Sequence, residues 1–128
     1  MSATEFERQQ LVQRLMVLQN QIAYLRMAIA TERESCERSI NRIVNEMRTI
    51  EDELVRLQGI VAASPEEAAQ IEDQRRRLML RYIGRQYALA NERVRCNQRL
   101  KELQDELNRL FSEFEQVRQR LFMLGGGV

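Results

Sequence analysis

The chain has 128 residues, 44% of them hydrophobic and 30% charged, and a formal net charge of +1 from 20 basic and 19 acidic side chains. A chain of that length sets an expectation of one domain, and so small a net charge makes the chain as a whole neither a polyanion seeker nor an acidic solvating tail. Five glycines, one proline and no tryptophan suit long helices, while two cysteines and no histidine disfavour a disulfide scaffold or a His/Cys metal site.

The first arm starts at Ser2 or Thr4, each followed three residues later by a glutamate, Glu5 or Glu7, so that two capping boxes compete. Leu11, Leu15, Leu18, Ile22, Leu25 and Ile29 then recur at alternating steps of four and three and form one seam. After Glu32 and Cys36 the seam resumes through Ile40, Ile43, Met47, Ile50, Leu54 and Leu57. This periodicity predicts a helical arm over about 4–58, of coiled-coil rather than globular-core length.

The arm ends at Gly59-Ile-Val-Ala-Ala-Ser-Pro-Glu-Glu67. Gly59 offers the positive φ that stops a helix, Ser64 an N-cap hydroxyl, Pro65 a first helical residue whose missing N–H costs nothing, and Glu67 the far side of a capping box. Residues 59–64 are therefore a bend. A second arm follows over about 65–124, with a flexible glycine tail at 125–128. Its seam runs through Ile71, Arg75, Leu78, Tyr82, Arg85, Leu89, Glu92, Cys96, Leu100, Leu103, Leu107, Leu110, Phe114, Val117, Leu121 and Leu124. The fold class is all-α, a long antiparallel helical hairpin in a single domain over 1–128, and two further apolar rows predict dimerisation into an elongated four-helix bundle.

The arms resemble each other at an offset of 60 residues. Met27-Ala-Ile-Ala-Thr-Glu-Arg33 corresponds to Tyr87-Ala-Leu-Ala-Asn-Glu-Arg93, and Cys36 corresponds to Cys96, which reads as an internal duplication or, alternatively, as two coiled-coil arms of similar composition. A tight bend at residue 61 or 62 sets residue i beside residue 123 minus i. In that register the two Ala-x-Ala-x-Glu-Arg segments meet, and Glu32 and Glu92 interrupt the seam with salt bridges to Arg33, Arg93 or Arg95. The cysteines then stand nine residues apart along the helices, about 13 Å, which predicts reduced core thiols and no intrachain bond.

The second apolar rows supply the candidate interface. They include Met16, Ala23, Met27 and Ala30 on the first arm and Leu80, Ile83, Tyr87, Ala90 and Val94 on the second. A basic cluster of Arg75, Arg76, Arg77, Arg81 and Arg85 is a candidate dock for an acidic partner, set against the plainer expectation that it pairs with Glu46, Glu51, Asp52 or Glu53. Phe6, Phe111, Phe114, Phe122 and Met123 are expected to pack at the end of the hairpin opposite the bend or, alternatively, to form a recognition surface there.

No phosphate loop, CxxC, HExxH, G-x-S-x-G or calcium loop occurs, so the sequence implies no enzyme, no cofactor and no metal. The expected function is a structural adaptor that self-associates as a homodimer and docks another helical protein through coiled-coil surfaces. In length and layout the chain resembles the stalk proteins of bacterial type III export systems, which are two-helix antiparallel coiled coils. That resemblance implies an alternative function as a secretion-related chaperone or export-apparatus stalk holding an amphipathic client helix. Attachment of the basic cluster to nucleic acid or an anionic membrane is a third, weaker alternative. With no apolar run long enough for a transmembrane segment and no signal-like start, the expected location is cytoplasmic.

Overall fold

The computed structural model describes residues 2–125. Two helices account for almost all of them: α1, Ala3–Gln58, of 56 residues, and α2, Pro65–Met123, of 59 residues. They pack against each other as an all-α helical hairpin, with bounds within one residue of those expected from the periodicity.

Each helix start is held by its cap. At α1 the Glu5 amide donates to Ser2 Oγ at 3.1 Å and the Ser2 amide donates to the Glu5 carboxylate at 3.4 Å, so Ser2 prevails over Thr4. At α2 the Glu67 amide donates to Ser64 Oγ at 3.1 Å, while the Glu67 carboxylate accepts from the Ala63 amide at 3.2 Å, one residue before the cap. Ser64→Ala should therefore cost about 1 kcal/mol, read as a lower urea midpoint at an unchanged slope.

The helix ends differ from each other. Gly59 does not take a positive φ. Instead α1 closes on short-range bonds, Gly59 N–H to the Arg56 carbonyl and Ile60 N–H to the Leu57 carbonyl, both at 3.2 Å, as in a 3₁₀ turn. Gly125 does take the left-handed conformation, at φ +76°, and its amide donates to the Phe122 carbonyl at 3.0 Å. The remainder of the expected glycine tail, 126–128, lies outside the described residues.

Contacts between the helices fall into two compact units, a terminal unit of Met1–Arg33 with Gln98–Val128 and a bend unit of Glu34–Asn97. In the terminal unit Ile22, Leu25, Ile29, Leu103 and Leu107 form the buried cluster, with Ala28, Leu100, Leu110 and Phe114 packed against it. Cross-helix ion pairs flank it, Arg14 with Glu113 and Arg120 with Glu7. Both pairs are largely exposed, so each is worth at most about 1 kcal/mol, and apolar burial holds this unit together. Phe114 is the one aromatic that joins the cluster. Phe111 carries the Arg26 guanidinium 5.1 Å above its ring, and Phe6, Phe122 and Met123 are exposed, contrary to the expected terminal packing.

In the bend unit Cys36, Ile43, Ile50, Leu57 and Cys96 are buried. The register corrects the tight-bend expectation. Position 36 meets 96, 46 meets 85 and 51 meets 82, so residue i lies near 132 minus i rather than 123 minus i. The physical reason is the linker. Residues 59–64 run past the end of α1 instead of reversing at once, and six extended residues span up to about 20 Å. The first two turns of α2 therefore overhang, and between Pro65 and Arg77 no residue is buried.

Candidate functional site

Three features of the two helices carry chemistry or contact potential: the outer apolar rows, the arginine cluster and a cysteine centre. Periodicity puts the rows off the seam, since Met16 and Ala23 each follow a seam residue by one position and Met27 and Tyr87 by two, about 200° round the helix. In the terminal unit Met16, Ala23, Met27 and Ala30 are all exposed, and in the bend unit so are Leu80, Ile83, Tyr87, Ala90 and Val94. Met27 keeps 72% of its surface and Tyr87 69%, large values for side chains of that size.

The arginine cluster is divided by its partners, some on α2 and one on α1. Arg75 bonds Glu72 at 2.7 Å and Arg77 bonds Asp73 at 2.9 Å, both partners lying about one turn earlier on α2 itself. Farther along, Arg85 reaches Glu46 of α1 at 3.0 Å, as the plainer expectation held. Glu51 and Glu53 are engaged elsewhere, accepting from the Tyr82 hydroxyl at 2.8 Å and from Arg56 respectively. Hydrogen bonding to Arg75 holds the Glu72 carboxyl below the usual carboxylate range. Arg76 and Arg81 are exposed, and Arg77 and Arg81 line one side of a shallow groove with Arg56 and Leu78.

The cysteine centre overturns the expectation of two separate reduced thiols. Cys36 and Cys96 form a disulfide, with a Cα–Cα distance of 6.0 Å. The nine-residue change of register brings them together. In an antiparallel pair of repeats offset by 60, and with residue i near 132 minus i, position 36 is where a residue faces its own repeat equivalent.

Glu92 stands one helical turn before Cys96, in a seam position where an apolar residue belongs. Its Oε1 lies 3.4 Å from Cys96 Sγ and accepts from Arg95 Nη2 at 2.6 Å, while the same Nη2 lies 3.6 Å from that sulfur. The Arg95 hydrogen bond holds the Glu92 carboxyl below its ordinary value, helped by Ser39 and Arg42 from α1 and opposed by partial burial. The salt bridge expected for Glu92 is thus made by Arg95. Glu92 faces Ser39, and Ala28 packs on the Leu103 and Leu107 cluster, so the repeated segments take other partners than those a tight bend assigns them.

Comparison with protein-family models, curated proteins and solved structures gives no match. Among the described residues no helix is long and apolar enough to cross a membrane. The reading of the sequence missed the joint placement of Cys36, Cys96 and Glu92. The signal was present in the repeated E-x-x-x-C spacing at Glu32 with Cys36 and Glu92 with Cys96.

Proposed function

We propose that the chain is a non-enzymatic adaptor of the cytoplasm, a coiled-coil hairpin that pairs with a second copy to make a four-helix bundle and docks another helical protein. The observation that carries this reading is the exposure of Met27, Leu80, Tyr87 and Val94, each with more than 60% of its surface in water. Covering such a side chain fully is worth roughly 1.5–3 kcal/mol, which four residues per copy multiply well beyond a single hydrogen bond.

A second copy suits these rows because the two arms repeat at an offset of 60 residues. In a two-fold interface each row would meet the same row of the second copy. The net charge of +1 opposes no such pairing. The arginine cluster adds a polar rim for an acidic partner, with Arg76 and Arg81 its exposed members.

Light scattering over a concentration series tests the reading. The expected mass is twice the 15.2 kDa of one chain, and Leu80→Glu combined with Tyr87→Glu should return it to one chain without loss of helical circular dichroism. A wild-type monomer at every concentration would overturn self-association and give the rows to a partner helix, as in a client-holding stalk.

A further inference from the structure

We propose that the reduced protein binds one zinc-class divalent ion per chain through Cys36, Cys96 and Glu92, with water completing the shell. The sulfurs and one Glu92 oxygen all lie within 4.8 Å of one another. They belong to the bend unit and come from both helices.

The contact between Glu92 and Cys96 is the informative one. A disulfide sulfur carries no proton, so with the bond formed, the 3.4 Å approach of Glu92 Oε1 to Cys96 Sγ sets lone pair against lone pair. A structural disulfide gains nothing from a carboxylate there, and an apolar residue would continue the seam. The same distance matches the edge of a tetrahedral zinc site, where a sulfur at about 2.3 Å and an oxygen at about 2.0 Å from the metal stand about 3.5 Å apart.

The sulfurs must separate to about 3.8 Å for two thiolates on one tetrahedral zinc, with Cys36 Sγ, within 4.8 Å of the Glu92 oxygen, settling at about 3.5 Å from it. Rotation about the cysteine side chains achieves this across the observed Cα–Cα distance of 6.0 Å. Charge also balances. Two thiolates and a carboxylate exceed the ion by one negative charge, and Arg95, already 2.6 Å from Glu92 Oε1 and 3.6 Å from Cys96 Sγ, offsets it. Two thiolates select zinc, cobalt or cadmium over magnesium or calcium.

Entry to this state requires a dithiol reductant. It transfers two electrons and two protons, the Cys36–Cys96 bond breaks to two thiols, and the reductant closes its own disulfide. The ion then displaces both thiol protons to solvent as two metal–sulfur bonds and one metal–oxygen bond form. Oxidation consumes both sulfur ligands, so bond and ion exclude each other. The two cysteines are the only ones in the chain.

Co2+ is the probe, added without oxygen to the full chain after reduction and removal of the reductant. Thiolate-to-cobalt charge-transfer absorption should saturate at one Co2+ per chain, be displaced by Zn2+, and be absent from the oxidised protein. Glu92→Gln keeps both thiols and should weaken Co2+ at least about tenfold while shifting the visible bands. No charge-transfer band in the reduced chain, one ion per two chains, or unchanged affinity and bands in Glu92→Gln would each overturn the proposal.

Discussion

Reducing the Cys36–Cys96 disulfide in a chelator-containing buffer should lower the thermal midpoint by on the order of 10–20 °C. The bond closes a separation of 60 residues, and a loop of that size removes about 4 kcal/mol of conformational entropy from the unfolded chain. For a domain of this length each kcal/mol moves the midpoint by roughly 4 °C. Cys36→Ser with Cys96→Ser should match the reduced wild type, because the effect belongs mainly to the unfolded state and serine keeps the volume of the site. Melts followed by circular dichroism with and without a dithiol check this. Coincident midpoints would mean that the bond does not form in solution.

Leu103→Asp should unfold the terminal unit or cost about 4–5 kcal/mol. Leu103 is 5% exposed and belongs to the cluster of Ile22, Leu25, Ile29 and Leu107, so an aspartate there loses apolar burial and places a charge among apolar side chains. The neighbouring Gln104 is exposed and donates to Asn108 at 3.0 Å along its own helix. Gln104→Asp should stay within about 0.5 kcal/mol of the wild type. Equal losses from the two changes, measured by urea unfolding, would show that the buried face of α2 is assigned wrongly.

Much of the fold was legible in the residues because its signals are local. Leu15, Leu18, Ile22, Leu25 and Ile29 are all buried, as steps of three and four require when one face of a helix meets another. Ser2 and Ser64 cap their helices because a hydroxyl two or three residues ahead of an orphan amide needs no tertiary partner. Gly59 misled for the same reason. Glycine permits a positive φ without demanding it, and α1 found a closure that leaves the chain running onward.

The candidate sites were legible in proportion to how little they depended on register. Exposure of Met27, Leu80 and Tyr87 follows from their place on the far side of the helix from the seam, whichever residue the seam meets. Pairing of Arg85 does depend on it. Arg85 meets Glu46 of α1 only because the register sets 85 beside 46, whereas Arg75 and Arg77 pair with Glu72 and Asp73 at spacings of three and four within α2.

By itself the sequence determined that there are two helices, where each is capped, and which face of each is apolar, since these depend on contacts within a few residues. Tertiary packing decided how far one helix slides along the other. A seam repeating every three or four residues meets its partner almost equally well at several offsets about a heptad apart, so periodicity cannot choose among them. The extended path of residues 59–64 and the meeting of Cys36 with Cys96 selected one offset, and with it the carboxylate of Glu92 beside the two sulfurs.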